Sequence, residues 1–190
     1  MPSLVGSEMC IRDREMVQGE GGVIPMEEDF VKGLAQLCKE RDVLLLVDEV
    51  QTGIGRTGTF YAYQGYGIEP DVVTTAKGIA GGLPMGACLV SKALGDILTP
   101  GQNGSTFGGN PVACAGARVV VRRVSDPAFL QSVAEKGAYF RKKLEAMPQV
   151  QAAQVSHESG TAVVTLTAPV EDDTLRRTVE DKGYTVTAIR

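Results

Sequence analysis

The alternation of apolar and polar positions predicts helices and strands in turn along the middle of the chain. Residues 31–38 place apolar side chains at helical spacing, and the continuous apolar run 43–47 follows almost directly. A run of that length is typical of a parallel strand covered on both faces. Residues 71–75 and 86–90 repeat the strand pattern. We therefore predict an α/β fold with a partial doubly wound, mostly parallel sheet.

The second half of the chain opens with two helix starts and then changes character. Asn110 and Asp126 each precede a proline, a combination of N-cap and first helical residue that begins many helices. We expect these helices to end near residues 124 and 146. The later segments predict two strands, a helix and a last strand, at 150–155, 161–167, 171–182 and 184–189. A sheet domain over 15–125 would thus be followed by a linking helix and a small, incomplete α+β domain over 126–190.

The N-terminal residues 1–14 fit neither the helical nor the strand period. They also lack the basic start, apolar stretch and cleavage site of a signal peptide. Residues 5–14 resemble translated sequencing-adaptor read-through. We therefore interpret 1–14 as a non-native or disordered terminus and leave it out of the predicted fold.

Composition excludes several classes of function. The chain has 190 residues, 43% of them hydrophobic, and a net charge of −4 without a basic block, so we expect neither nucleic-acid nor membrane binding. Its four cysteines form no C-x-x-C pair and there is one histidine, His157, so no metal site is expected. We interpret His157 as a solvated loop residue. The cysteine pattern favours a reducing cytoplasm over a disulfide framework.

Three polar features lie at predicted strand ends or a helix start, where open α/β sheets bind ligands. Asp48 ends the run 43–47 and could pair with a protonated ring nitrogen; Lys77 follows 71–75 and could act as a desolvated amine nucleophile. The loop 104–110 could hold a phosphate through backbone N–H groups and Ser105 or Thr106. Alone, each feature has a commoner structural explanation: a salt bridge, a surface lysine or a helix-entry loop. Together they supply what pyridoxal phosphate requires.

Three segments carry a resemblance to a known family. They read LLVDEVQTGIGRTG at 45–58, PDVVTTAK at 70–77 and GSTFGGNP at 104–111. This set closely resembles the class III aminotransferases of fold type I, and within them the acetylornithine subgroup. The resemblance extends over about residues 15–146. It implies that 15–125 form the C-terminal part of a large domain that binds pyridoxal 5′-phosphate.

The resemblance also implies roles for individual residues. Lys77 would form the Schiff base with the cofactor and later move the substrate proton. Asp48 would pair with the pyridinium nitrogen, and Gln51 would hydrogen-bond the phenolic oxygen of the ring. Thr106 would reach the cofactor phosphate of the neighbouring subunit, which implies a homodimer, with Ser105 assisting near that phosphate.

A further segment, QGEGG at 18–22, matches the family segment whose glutamate, here Glu20, pairs with a substrate-binding arginine. The implied reaction passes the terminal amine of N-acetylornithine to the cofactor and then to 2-oxoglutarate, a step of arginine biosynthesis. Met16 stands where the family usually has proline. The family's upstream phosphate loop and ring-stacking aromatic have no counterpart here. We therefore expect a fragment that alone binds the cofactor poorly and turns over no substrate.

Other functions remain open at this point. Another class III aminotransferase, acting on ornithine, 4-aminobutyrate or succinyl-diaminopimelate, would carry the same motifs. A non-catalytic nucleotide-binding module could use the glycine-rich loops for phosphates, although the chain lacks both G-x-G-x-x-G directly after a predicted strand and a G-x-x-x-x-G-K-[ST] loop. A purely structural interaction domain would leave the roles of Lys77 and Asp48 unexplained.

Overall fold

The computed structural model describes residues 11–96, 99–156, 161–181 and 185–189. The strands are β1 (Ile11–Glu15), β2 (Val17–Gln18), β3 (Ile24–Pro25), β4 (Leu44–Asp48), β5 (Val72–Thr75), β6 (Ala87–Val90), β7 (Val150–Ser156) and β8 (Thr161–Leu166). The α-helices are α1 (Glu28–Glu40), α2 (Pro111–Val124), α3 (Pro127–Glu145) and α4 (Asp172–Glu180). Three short 3-10 helices span Ala62–Tyr66, Lys77–Ala80 and Lys92–Leu94.

The main sheet has four strands in the order β1-β4-β5-β6. Strands β1, β4 and β5 are parallel, and β6 runs antiparallel to β5. Glu15 is paired with Asp48, and Asp48 with Thr74, so three polar side chains stand in one row where the parallel strands end. The predicted mostly parallel α/β sheet is confirmed.

One face of this sheet is packed and the other is partly open. Leu45 and Val47 point into a core with Val31 and Cys38 of α1, and their exposed fractions are 4% and 0%. Leu44 and Leu46, which point the other way, are only half-buried. The prediction that 43–47 is covered on both faces is therefore wrong for the described residues, because α1 and the 62–66 helix pack against one face.

The two predicted starts of long helices are confirmed. The Asn110 side chain accepts hydrogen bonds from the backbone N–H groups of Val112 (3.0 Å) and Ala113 (3.2 Å). Asp126 accepts one from Ala128 N–H at 2.9 Å. These caps satisfy donors that a helix N-terminus leaves without intrahelical partners.

The C-terminal part builds a second core on the end of α3. Strands β7 and β8 form an antiparallel pair, and Phe140, Leu144, Val150 and Ala153 are buried between α3 and this pair. The predicted strand at 184–189 is wrong over 185–189, where no strand forms. The Val186 carbonyl instead accepts from Arg176 Nη1 at 2.7 Å, so its backbone is paired with a side chain of α4. His157 lies outside the described residues.

The N-terminal strand corrects the prediction for residues 11–14. These residues are part of β1, which pairs with β4 along its whole length. Backbone groups make that pairing, so the polar sequence at 12–14 forms a strand without any apolar period that could predict it. Residues 1–10 lie outside the described residues.

No described helix is both long enough and apolar enough to cross a bilayer. Within the described residues, no group of three or more His, Cys, Asp or Glu side chains is placed to hold a metal ion.

Candidate active site

Asp48 lies at the carboxyl end of β4, on the partly open face of the sheet. Its Oδ1 accepts a hydrogen bond from Val50 N–H at 2.8 Å, and the side chain is exposed. A cavity of about 540 Å³ opens over this face, and Glu15, Gln18 and Thr74 line it together with Asp48. The structure thus places Asp48 with polar residues of β1, β5 and the 18–22 turn.

Lys77 lies just beyond β5 and lines a second cavity, of about 380 Å³. Gln51 lines the same cavity, as do Val120 and Val124 of α2 and Phe129 of α3. The structure therefore brings Lys77 and Gln51 together between the two strand-end loops, the end of α2 and the start of α3. Asp48 does not line this second cavity.

Gln51 stands at the boundary of the two cavities. A Cβ placed on Gly19 would lie 2.4 Å from Gln51 Nε2, so the Gln51 side chain rests directly on the Gly19 backbone. The neighbours Gln18 and Gly21 line the Asp48 cavity. Asp48 thus lines the first cavity and Gln51 and Lys77 the second, and Gln51 contacts the turn whose neighbouring residues line the first.

The backbone around Lys77 is held in an uncommon conformation. Lys77 has φ +46° and Ile54, which lines the same cavity, has φ +59°. A β-branched residue in the left-handed region is a genuine outlier, and such strain persists only where the surroundings impose it. The two turns lie in van der Waals contact here, since a Cβ on Gly78 would be 3.8 Å from the Ile54 side chain.

The 18–22 turn is fastened to the end of β1. Gly19 N–H donates to Glu15 Oε2 at 2.8 Å, and Gly19 O accepts from the N–H groups of Gly22 and Val23. Glu20 lies on the exposed part of this turn. It lines neither of the two cavities.

The 104–110 loop is exposed along its whole length. Ser105 Oγ accepts from Gly108 N–H at 2.9 Å, which shapes the loop internally. Ser105 and Thr106 line neither cavity. Phe107, between them and the helix, is 85% exposed.

Glu49 is a prominent residue that the sequence reasoning missed. Its exposed fraction is 0%, and its carboxylate accepts hydrogen bonds from Thr52 Oγ1, from Ala62 N–H (3.0 Å) and from Tyr63 N–H (2.9 Å). A signal was present in the pattern, since Glu49 continues the alternation of the inward residues Leu45 and Val47. The strand end therefore has one outward carboxylate, on Asp48, and one inward carboxylate.

Burial gives Glu49 a measurable effect on stability. Desolvation raises the pKa of its carboxyl above the ordinary 4.5, partly opposed by the hydrogen bonds from Thr52, Tyr63 and Ala62, and the Asp48 charge raises it further. Above pH 4.5 the unfolded chain therefore releases this proton before the folded chain does. The free energy of unfolding should therefore fall as the pH rises from 4.5 toward the pKa of Glu49 in the folded chain.

Urea unfolding of wild type and Glu49→Gln at several pH values tests this expectation. The wild type should lose stability relative to the variant as the pH rises above 4.5. Exposed carboxyls affect both proteins equally, so the difference between their free energies of unfolding reports on Glu49 alone. A difference that stays constant from pH 4.5 to neutrality would contradict the assignment.

The glycine spacing at 53–58 has no dinucleotide-binding context. These residues read GIGRTG, which is the G-x-G-x-x-G spacing, but in the described part of the chain the next α-helix begins only at Pro111. The fingerprint requires a helix that opens directly from the loop. The loop instead packs on α2 and α3, since a Cβ on Gly55 would lie 2.7 Å from Val124.

Comparisons with known proteins agree with the resemblance seen in the motifs. The sequence profile of the family described as aminotransferase class-III matches residues 14–188. The chain is 54% identical over 131 residues to the acetylornithine aminotransferase of Aquifex aeolicus, covering 69% of this chain and 34% of that protein. It is 48% identical over 144 residues to that of Haemophilus ducreyi, covering 76% and 36%. The chain thus spans about a third of the length of these curated relatives.

Solved structures give the same result. An ornithine aminotransferase from Toxoplasma gondii superposes with a TM-score of 0.72 at 30% identity, covering 92% of this chain and 42% of that one. An N-acetylornithine aminotransferase from Stenotrophomonas maltophilia superposes with a TM-score of 0.68 at 30% identity, covering 88% and 43%. The chain belongs to the class III aminotransferase family, whose members are pyridoxal-phosphate-dependent transferases.

Proposed function

We propose that this chain is part of an aminotransferase that moves the terminal amine of N-acetylornithine to 2-oxoglutarate. The observation that carries the proposal is that Lys77 and Gln51 line one cavity beyond the ends of β4 and β5, while Asp48, at the end of β4, lines another. The choice of N-acetylornithine is supported by the 54% identity to a relative of that name.

The groups present fit pyridoxal phosphate in chemical kind. The cofactor needs an acid for its ring nitrogen, a donor for its phenolic oxygen and an amine for its aldehyde. Asp48, Gln51 and Lys77 supply them, with Gln51 at the boundary between the other two. The phosphate needs a further anchor, because Ser105 and Thr106 line neither cavity.

Each residue then has one task. When bound, the cofactor supplies an electron sink for the charge that develops at the substrate carbon. The Asp48 carboxylate would keep the ring nitrogen protonated, and the Gln51 amide would donate to the phenolic oxygen. Lys77 Nζ would hold the cofactor, and its free amine would carry the proton that leaves the substrate carbon.

The partner of the site is proposed to be a second copy of the protein. The 104–110 loop is exposed, and so are the apolar side chains of Phe107 (85%), Val112 (67%) and Val119 (70%) beside it. An exposed apolar surface next to a loop rich in hydroxyl and N–H groups suits a subunit contact. In that dimer Thr106, assisted by Ser105, would hold the cofactor phosphate of the partner, and Glu20 would pair with a substrate-binding arginine.

We place the protein in the cytoplasm on the basis of its cysteines. Cys38, Cys88 and Cys114 are free thiols. Unpaired cysteines at scattered positions suit a reducing compartment.

A panel of amino donors tests the substrate in the complete protein, meaning the polypeptide that extends this chain to the length of its relatives. N-acetylornithine should exceed ornithine, 4-aminobutyrate and succinyl-diaminopimelate in kcat/KM by roughly tenfold or more, measured as glutamate formed from 2-oxoglutarate. A preference for another of these amines would overturn the substrate, and no transfer from any of them would overturn the activity.

The 190-residue chain alone provides the matched comparison. It should bind pyridoxal phosphate weakly and form no glutamate, since its own residues leave the Asp48 face of the sheet partly open to water. Absorbance of the bound cofactor and the glutamate assay together measure this. Tight binding with turnover would show that no further segment is needed.

A further inference from the structure

Glu49 is held by its backbone as well as by its side chain. Its N–H donates to Thr74 O of β5 at 2.8 Å, and its carbonyl accepts from Gly53 N–H at 3.0 Å. The residue therefore fixes both the end of β4 against β5 and the turn that follows. It does so at the position between Asp48 and Gln51.

The Glu49 carboxylate also hydrogen-bonds a segment distant in sequence. It accepts hydrogen bonds from the N–H groups of Ala62 and Tyr63, which follow it by 13 and 14 residues at the start of the 62–66 helix. The third donor, Thr52, belongs to the turn itself and is fully buried. One side chain thus ties the loop that carries Gln51 to a 3-10 helix packed on the sheet.

The surrounding packing leaves this loop little freedom. A Cβ on Gly53 would lie 2.7 Å from Glu49 O and 2.9 Å from the Tyr61 ring. The rings of Tyr61 and Tyr63 are stacked with centroids 5.8 Å apart. The loop is therefore fastened at Glu49 and closed in by tyrosine rings.

We infer that Glu49 is a positioning residue of the proposed cofactor site, which sets Asp48 toward one cavity and Gln51 toward the other. This inference rests on the proposed function and adds a residue that does not itself line either cavity. Because the Glu49 carboxylate points inward, Asp48 before it faces the open side of the sheet. Gln51, two positions after Glu49, then reaches the boundary with the Lys77 cavity.

A carboxylate is suited to this task because the donors come from two segments. Oε2 accepts from Thr52 and Ala62, and Oε1 accepts from Tyr63. A glutamine has one acceptor oxygen, and its NH₂ group would face an N–H donor. An aspartate keeps both oxygens on a side chain one methylene shorter, so it should restore the hold only in part.

Hydrogen exchange of this chain without cofactor tests the hold on the loop. In Glu49→Gln, the amides of 50–53 and of Ala62 and Tyr63 should exchange roughly tenfold faster or more, while those of β5 and α3 keep wild-type rates. Glu69→Gln, at an exposed glutamate, is the control and should change none of these. Unchanged exchange at 50–53 in Glu49→Gln would overturn the inference.

A second variant covers the case in which Glu49→Gln does not fold. Thr52→Val removes one donor while keeping the shape of the side chain, and Thr52→Ser restores that donor. Faster exchange at 50–53 in the valine variant, with recovery in the serine variant, supports the inference. Loss of protection throughout the sheet in both Glu49→Gln and Thr52→Val would overturn it, because the role would then be general stability.

The cofactor arm uses the complete protein and separates this inference from the proposed function. Pyridoxal phosphate is added, borohydride makes the lysine linkage permanent, and mass spectrometry measures labelling of Lys77. Labelling should fall at least several-fold in Glu49→Gln and partly recover in Glu49→Asp. Equal labelling in wild type and Glu49→Gln would overturn the inference alone, whereas no labelling of Lys77 in wild type would overturn the proposed function.

Discussion

Replacing Lys77 with alanine in the complete protein should lower kcat for amino transfer by roughly a million-fold, the scale on which loss of a covalent nucleophile acts in other enzymes. Lys77 is the only lysine of the described residues that lines either cavity, so no nearby amine can replace it. Lys77 has a left-handed backbone conformation, which sets the direction of its side chain. A residue at a neighbouring position would not direct its side chain in the same way. Glutamate formation from 2-oxoglutarate measures the loss.

The control is Lys92→Ala, which removes an exposed lysine from the short 92–94 helix. It should leave kcat and labelling within about twofold of wild type, as expected for a substitution far from the reacting groups. The Lys77 variant also separates the alternative functions. A nucleotide-binding module would be little changed by Lys77→Ala, so glutamate formation retained in this variant would contradict the proposed role.

Leu144→Ala should lower the free energy of unfolding of the C-terminal core by about 3 kcal/mol. Leu144 is 1% exposed and packs with Phe140, Val150 and Ala153 where α3 meets β7. The substitution removes buried methyl groups and leaves a cavity that this small core cannot refill. Urea unfolding followed by circular dichroism measures the change.

Leu166→Ala provides the matched control in the same unit. Leu166 ends β8 and is 39% exposed, so the same atoms are removed from a site already in contact with water. Its cost should stay below about 1 kcal/mol. Equal losses in the two variants would show that burial against α3 is not what holds the hairpin.

The sequence predicts an element where the pattern of side chains decides the structure. It gives no signal where backbone hydrogen bonds decide the structure. The run at 43–47 is apolar and the run at 71–75 is rich in β-branched residues, and both predict strands that the structure contains. Strand β1 is polar and pairs through its backbone, so its pattern carried no signal. The segment 185–189 has strand-like residues, but Arg176 takes the Val186 carbonyl that a neighbouring strand would need.

The candidate site shows the same division. Lys77 and Asp48 are candidates from the sequence because an amine and a carboxylate follow predicted strands, and their roles stay predictions. Their separation into two cavities, with Gln51 at the boundary, depends on side-chain directions that motif reading does not contain. Glu49 was missed because adjacent acidic residues look alike in sequence, although the period of the strand turns one outward and the other into the core.

The outer strands of the main sheet affect how the chain will behave in solution. β1 and β6 end the strand order, and Leu89 and Val90 of β6 are 44% and 50% exposed. Such edges offer unpaired N–H and C=O groups that template further strands. At high concentration the isolated chain should therefore aggregate edge to edge, and its apparent mass on gel filtration should report that association instead of a functional dimer.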